Sequence, residues 1–246
     1  MHRKVQRRGN CRSRELSRGR PLPSKGIIFD FDGTLYGDRR LWISLIEETL
    51  REFNVTVTAY EALERARNLI RNGEARETLK ISGIAVSLAR KQGLERDDEV
   101  RARFFQKLDA RMDQTGPGND LVKLLEQLKQ KGFVMGIVSF VRKTRLTKRL
   151  DTWRLEDYFR CAVTPEQVAE FKPSPQPYLK AIENFHLPPK ECFVVGDEPV
   201  DMLGGKRAGT RTIGLPQGFY SREELEEAGA DSIITSLNAL PSILFQ

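Results

Sequence analysis

Histidine is scarce in this chain, which has two among its 246 residues, His2 and His186. A Ser-His-Asp triad, or a metal site built from imidazoles, needs histidine beside the reacting groups. His2 lies in a polar, basic N-terminal stretch, and His186 lies near the end of a predicted helix. General acid and base chemistry must therefore fall to carboxylates or lysine.

Cysteine is equally sparse, with Cys11, Cys161 and Cys192 scattered along the chain and no Cys-x-x-Cys spacing. An odd number of isolated cysteines argues against a disulfide framework and against a zinc site. Cys192 lies on a predicted core strand, where a free thiol packs as a small hydrophobe. We expect a reduced, cytoplasmic protein.

The sequence also has no apolar run of the length that a signal peptide or a membrane span needs. We therefore expect no membrane contact. A chain of 246 residues is long enough for one core domain that carries an insertion.

Positive charge is concentrated at the N-terminus. Residues 1–25 hold nine Lys or Arg and one Glu, whereas the net charge of the whole chain is +7. With so few apolar residues this leader cannot bury enough surface to order itself, and we expect residues 1–25 to be disordered. A leader without a specific role is the favoured interpretation, and loose contact with nucleic acid or a role in targeting are the alternatives.

Short apolar runs rich in β-branched or aromatic residues alternate with helical patterns along the rest of the chain. This alternation predicts an α/β fold with a Rossmann-like parallel sheet covered by helices on both faces. The predicted strands are 26–30, 133–138, 192–196 and 211–215, with a weaker one at 232–235.

About 100 residues separate the first two predicted strands, far more than one crossover helix requires. We interpret residues 38–114 as an inserted α-helical cap, and residues 26–37 together with 115–246 as the catalytic core. The helices predicted in the insert are 39–53, 58–70, 75–92 and 97–112. Gly37-Asp38 and Thr115-Gly116-Pro117-Gly118 are interpreted either as hinges between the two parts or as ordinary turns.

Residues that carry chemistry follow three of the predicted strands. Asp30 and Asp32 come after the first strand, Ser139 comes after the second, and Asp197 and Asp201 follow the strand at 192–196. The carboxyl ends of parallel strands meet at one edge of the sheet, so we expect these side chains to lie together. Carboxylates this close repel unless a cation compensates them. The pattern indicates a phosphoryl-transfer site.

These segments, in this order along the chain, resemble the four motifs of the haloacid dehalogenase superfamily of phosphohydrolases. The resemblance covers about residues 26 to 240, and the helical insert resembles the cap of the phosphoglycolate phosphatase and β-phosphoglucomutase branch. The matching residues are Asp30-Phe31-Asp32-Gly33-Thr34-Leu35, Ser139, Lys172-Pro173, and Gly196-Asp197-Glu198-Pro199-Val200-Asp201 with Lys206-Arg207-Ala208-Gly209 after it.

The resemblance implies a Mg²⁺-dependent phosphatase that hydrolyses a small phosphorylated metabolite through an aspartyl phosphate. It implies that Asp30 is the nucleophile, that Asp32 is the general acid and base, and that Lys172 clamps the phosphate and Asp30. An acid at position 32 favours phosphorus chemistry, because the carbon–halogen dehalogenases of the superfamily lack one there.

The implied Mg²⁺ ligands are Asp30, Asp32 through its carbonyl, Asp197 and Asp201, with Glu198 as a further candidate. Oxygen donors without cysteine or histidine suit such a hard cation. Substrate contacts are expected from Ser139, Thr34 and Arg76.

One departure concerns the residue after Ser139, which is Phe140 where the family often has Asn or Gly. A large side chain there reshapes the leaving-group side and weakens the inference of the substrate from the family, for which the resemblance implies phosphoglycolate as the default. A β-phosphoglucomutase-like sugar phosphomutase is the alternative activity. A non-catalytic binding protein that uses the basic leader is a more remote alternative.

Overall fold

The computed structural model describes residues 25–71 and 81–245. Its centre is a parallel sheet of six strands in the order β3-β2-β1-β4-β5-β6. This arrangement confirms the predicted α/β fold. The strands are β1 Gly26–Phe29, β2 Val134–Val138, β3 Phe159–Val163, β4 Cys192–Gly196, β5 Arg211–Gly214 and β6 Ser232–Ile233.

The strand β3 is a correction to the sequence-based prediction, which has five strands and none at 159–163. β3 lies at one edge of the sheet and pairs with β2. Phe159, Arg160 and Ala162 are half-buried, so this segment lacks the continuous apolar run that marks a strand covered on both faces.

Side chains alternate between two apolar clusters, one on each face of the sheet, because successive residues of a strand point to opposite faces. In β1, Ile27 and Phe29 join the larger cluster, which continues into the helices between β1 and β2. Ile28 joins the smaller cluster, with Tyr178 and Phe185 of a helix on the other face.

Ten helices surround the sheet within the described residues. The first four agree with the predicted helical patterns, apart from residues 72–80, which the structure does not describe. The helices are α1 Arg39–Arg51, α2 Ala59–Arg71, α3 Ile81–Lys91, α4 Asp97–Thr115, α5 Asn119–Gln130, α6 Lys143–Thr152, α7 Gln176–Phe185, α8 Pro199–Arg207, α9 Arg222–Glu227 and α10 Leu240–Leu244. Each is too short or too polar to span a lipid bilayer.

The chain leaves the sheet and returns to it at neighbouring points. Gly37 before α1 and Gly116 after α4 both adopt positive φ angles, +83° and +63°, which favour glycine. The Tyr36 and Thr115 hydroxyls are 3.4 Å apart. The Tyr36 ring lies 6.2 Å from that of Trp42 and 5.2 Å from that of Trp153.

The division into cap and core stays a prediction. The disorder of the leader, residues 1–25, also stays a prediction, because Lys25 is the one leader residue that the structure describes.

The helix α6, which follows Ser139, is bound to α4 by a network of two arginines and two aspartates. Arg149 donates to Asp113 Oδ1 at 2.6 Å and to Asp109 Oδ1 at 3.0 Å. Arg145 donates to the same Asp109 oxygen at 3.2 Å. The Trp153 indole donates to the Met112 carbonyl at 3.3 Å. These contacts join the helical insert to the sheet region.

Candidate active site

Asp30 directly follows the central strand β1 and therefore lies at the carboxyl edge of the sheet. In the register, Phe29 pairs with Ile137 of β2 and with Val195 of β4. The Asp30 N–H donates to the Val195 carbonyl at 2.9 Å, and the Ser139 N–H donates to the Val163 carbonyl at 3.1 Å. The backbone is therefore fixed where these side chains leave the sheet.

A buried lysine joins two of the predicted acids. The Lys172 ammonium lies 2.6 Å from Asp30 Oδ1 and 2.7 Å from Asp201 Oδ1. All three side chains are buried. Lys172 precedes α7 and Asp201 lies in the first turn of α8, so the ion pairs connect two helices with the end of β1.

Asp197, the third acid, is held by the turn after β1. The Thr34 hydroxyl donates to Asp197 Oδ1 at 3.0 Å. Glycines at positions 33 and 218 allow close approach, because a Cβ at either would overlap the Asp197 carboxylate. Thr34 was predicted to bind substrate, and in this structure its hydroxyl contacts a carboxylate of the site.

Carboxylate oxygens of Asp30, Asp197 and Asp201 all lie within 4.8 Å of one another. Among the described residues, Asp201 Oδ2 is a buried atom without a hydrogen-bond partner. Leaving a buried charged oxygen unpaired is costly. Three clustered carboxylates and an unpaired oxygen suit a hard divalent cation. The residues present therefore fit Mg²⁺.

The acids in this cluster are hard to ionise without a cation. Burial, and then the neighbouring acids, raise the pKa of Asp30 to about 7 despite the lowering effect of Lys172. Burial, Glu198 and Asp30 raise the pKa of Asp197 well above its usual range. Burial lowers the pKa of Lys172, but Asp201 and Asp30 outweigh it and raise that pKa overall, so the lysine is charged.

Glu198 adds a further acid to the cluster. Burial raises its pKa to about 8, and the charges of Asp201 and Asp30 contribute. Glu198 is half-buried and directly precedes α8. The site thus holds more acidic than basic side chains, which favours binding of a cation over binding of a free anion, because a cation stabilises the ionised acids.

Ser139 occupies the position expected for a phosphate contact at the end of β2. Its side chain is buried, and its Oγ accepts a hydrogen bond from the Val141 N–H at 3.1 Å. Accepting this bond orients the hydroxyl and leaves its proton available to an incoming oxygen.

Asp32 lies two residues beyond Asp30 in a tightly held turn. Gly33 has a φ of +87°, and its N–H donates to the Tyr36 carbonyl at 2.8 Å. The Gln217 amide donates to the Gly33 carbonyl at 2.7 Å. Asp32 is half-buried, and its charge contributes to the raised pKa of Asp30. Its carboxylate is therefore near Asp30 and partly exposed to solvent.

An aromatic pair lies beside the lysine. The rings of Phe140 and Phe171 are 4.8 Å apart in an edge-on arrangement, and the Lys172 ammonium lies 5.5 Å from the centre of the Phe140 ring. The residue by which the sequence departs from the family pattern thus borders the site. Arg76, predicted to bind substrate, lies outside the described residues.

Tyr178 is a residue of the site that sequence reasoning missed. Its hydroxyl donates to Asp201 Oδ1 at 2.9 Å. It follows Lys172 by six residues in the segment Lys-Pro-Ser-Pro-Gln-Pro-Tyr. The prolines predict a turn and the start of a helix. Nothing in the neighbouring sequence indicates that the Tyr178 ring packs in the core below α8.

Comparisons with known proteins agree with this geometry. A family model for haloacid dehalogenase-like hydrolases matches residues 27–215. Phosphoglycolate phosphatase from Aquifex aeolicus is 31% identical over 76% of this chain and 82% of its own. Pyrophosphatase PpaX from Bacillus mycoides is 25% identical over 89% of this chain and 95% of its own.

Solved structures show the same fold. A haloacid dehalogenase family hydrolase from Deinococcus radiodurans, with bound phosphate and sodium, has a TM-score of 0.69 and 22% identity, and covers 91% of this chain and 96% of its own. A predicted phosphoglycolate phosphatase from Haemophilus somnus has a TM-score of 0.70 and 20% identity, and covers 89% and 97%.

Proposed function

Because this chain belongs to the haloacid dehalogenase-like hydrolases and is a phosphatase of that family, we propose that it hydrolyses a small phosphomonoester through an aspartyl phosphate formed on Asp30. The observation that carries the proposal is the position of Lys172 between Asp30 and Asp201, with Asp197 within reach of both acids.

Mg²⁺ is the proposed cofactor, held by Asp30, Asp197 and Asp201 with the Asp32 carbonyl. When bound, it supplies positive charge that keeps the acids ionised and offsets the charge of the phosphate. The unpaired Asp201 Oδ2 and the oxygen donor set support this choice.

In the first step, one carboxylate oxygen of Asp30 forms a bond to phosphorus while the bond from phosphorus to the leaving oxygen breaks. Lys172 orients Asp30 and offsets negative charge at the phosphoryl group. The Ser139 hydroxyl donates to a phosphoryl oxygen, as positioned donors do in phosphoryl transfer. Asp32 gives a proton to the departing oxygen, which leaves as an alcohol.

In the second step, Asp32 accepts a proton from water, and that water attacks phosphorus. The bond between phosphorus and Asp30 breaks, and inorganic phosphate and the free carboxylate result. The tight turn at Gly33 supports this double role, because it holds Asp32 near Asp30 at a half-exposed position.

Phosphoglycolate is the substrate to test first, because a relative over most of the chain carries that name. We propose that residues 38–114 form a cap that supplies the contacts with the leaving group. The positive φ angles of Gly37 before α1 and of Gly116 and Gly118 between α4 and α5 support this proposal, because glycines give the backbone freedom at both ends of the segment.

The test is free phosphate release from phosphoglycolate, pyrophosphate and p-nitrophenyl phosphate, with Mg²⁺ and with EDTA. We expect turnover that needs Mg²⁺ and that Asp30→Asn lowers by at least about 10³-fold, because the nucleophile is lost. Asp113→Asn, the same change on an exposed acid of α4, should keep full activity.

Turnover by Asp30→Asn within tenfold of the wild type would contradict the role of Asp30. Turnover that needs an added sugar bisphosphate and releases no phosphate would indicate a mutase instead. Turnover in EDTA equal to that in Mg²⁺ would show that the activity does not need the metal.

A further inference from the structure

Two donors converge on one oxygen of Asp201. The Tyr178 hydroxyl lies 2.9 Å and the Lys172 ammonium 2.7 Å from Asp201 Oδ1. The other oxygen, Oδ2, is buried and has no partner among the described residues. The Asp201 carboxylate is therefore held through Oδ1 alone, and Asp201 is one of the three acids whose carboxylate oxygens cluster with those of Asp30 and Asp197.

We propose that Tyr178 is a positioning residue for the cation: it fixes the Asp201 carboxylate so that Oδ2 faces the metal site. This inference rests on the proposed function, because it assumes that a divalent cation binds there. Tyr178 acts through Asp201 and touches neither the substrate nor the cation, so it is not a catalytic residue.

Lys172 alone does not fix Asp201, because its ammonium is shared with Asp30 at 2.6 Å. An ammonium is a compact charge whose donors rotate freely, and Asp30 changes its bonding when it attacks phosphorus. Within residues 25–71 and 81–245, the Tyr178 hydroxyl donates to Asp201 Oδ1 and to no second carboxylate. The hydrogen bond from Tyr178 keeps Asp201 in place when the Lys172 ammonium moves with Asp30.

The residues around Tyr178 hold its side chain, and therefore its hydroxyl, in one position. The side chain is 1% exposed and its ring packs in the apolar cluster below β1 and β4. A Cβ at position 204 of α8 would overlap the ring, so Gly204 gives it space one turn beyond Asp201.

A tyrosine that serves packing alone would also use a nearby acceptor for its buried hydroxyl. The two roles differ in what the loss of the hydroxyl changes. A packing role affects the stability of the fold. A positioning role affects the affinity for the cation, because the groups that orient a metal ligand contribute to binding.

The experiment is a calorimetric titration of the metal-free protein with Mg²⁺ alone, for the wild type and Tyr178→Phe. We expect the dissociation constant for Mg²⁺ to rise by about 10–100-fold in the variant, as is usual for residues that orient a metal ligand. The rise in melting temperature on adding Mg²⁺ should shrink accordingly.

Tyr158→Phe is the matched control, because the Tyr158 hydroxyl donates to a carboxylate, Glu126 Oε2, at 3.3 Å and belongs to no part of the site. Its Mg²⁺ affinity should equal that of the wild type. Should Tyr178→Phe fail to fold, Gly204→Ala displaces the ring without removing the hydroxyl, and the same weakening is expected.

An affinity of Tyr178→Phe within twofold of the wild type would overturn the inference and leave the proposed function intact. A wild type that binds no Mg²⁺ would overturn the metal site, and the inference with it. Adding Tyr178→Phe to Asp201→Asn should weaken binding little further if the tyrosine acts through Asp201, and equal losses in both backgrounds would contradict that route.

Discussion

Two buried cations in this protein each join two carboxylates, and their surroundings differ. Arg149 and its neighbour Arg145 meet Asp109 and Asp113 between α6 and α4, so the charges there balance. Lys172 meets Asp30 and Asp201, while Asp197 adds a further carboxylate. The first network has as many basic as acidic groups, whereas the second has more acids than bases, and a bound cation would stabilise the ionised forms of those acids.

The acids differ in exposure as well. The side chains of Asp109 and Asp113 are 39% and 59% exposed, whereas those of Asp30 and Asp201 are 8% and 1% exposed. An exposed acid that loses its partner is hydrated, but a buried one is not. A network with exposed acids, such as that of Arg149, is therefore compatible with a stable fold. Burial of surplus acids at a strand end is destabilising and indicates a functional role.

The largest difference is expected when each cation is removed. Lys172→Met should lower the free energy of unfolding of the metal-free protein by about 3–5 kcal/mol, because it leaves two buried carboxylates uncompensated. Arg149→Met should cost less, about 1–2 kcal/mol, because Asp109 and Asp113 can be hydrated. Urea denaturation in EDTA at pH 7 measures both values. Equal losses would show that the exposure of the acids does not matter.

The second prediction concerns pH. Burial first, and then the neighbouring charges, raise the pKa of Asp30 from 3.8 to about 7 and that of Glu198 from 4.5 to about 8. Over this range the folded protein binds more protons than the unfolded chain. Its free energy of unfolding should therefore fall as the pH rises from about 4 to 8, by at most about 1.4 kcal/mol per pH unit for each group.

Urea midpoints in EDTA between pH 5.5 and pH 8.5 measure this slope. The same series with saturating Mg²⁺ should be flatter, because the bound cation favours ionised acids. A metal-free midpoint that stays constant or rises between pH 6 and pH 8 would contradict the raised pKa values.

The smallest effect is expected at the exposed end of the balanced network. Asp113→Asn should lower the free energy of unfolding by about 1 kcal/mol or less, because the acid is largely hydrated. The loss should also shrink in high salt, which screens exposed charges. A loss of more than about 2 kcal/mol in the free energy of unfolding, unchanged by salt, would show that Asp113 behaves as a buried acid.

The sheet and the acids could be predicted from sequence because each has a local signal. Strands covered on both faces are continuous apolar runs, and Asp30, Ser139 and Asp197 follow such runs directly. The edge strand β3 lacks that signal, since three of its five residues are half-buried and Arg160 interrupts the apolar run.

Partners that meet only in the folded protein could not be predicted. Tyr178 and Asp201 are 23 residues apart, and Arg149 and Asp113 are 36 apart. Both separations are far longer than the two to four residues over which a single strand or helix brings side chains together. The bond from Thr34 to Asp197 spans 163 residues, and the motif that contains Thr34 does not indicate which neighbour its hydroxyl contacts.

The two tryptophans of the chain flank the Tyr36 ring, one from α1 and one from the end of α6. The intrinsic fluorescence of this protein therefore originates where the helices between β1 and β2 meet the sheet region. Ligand titrations could follow any rearrangement at that junction by emission alone, without a chemical label. Tyr36→Leu would report how much of the signal depends on the aromatic contact.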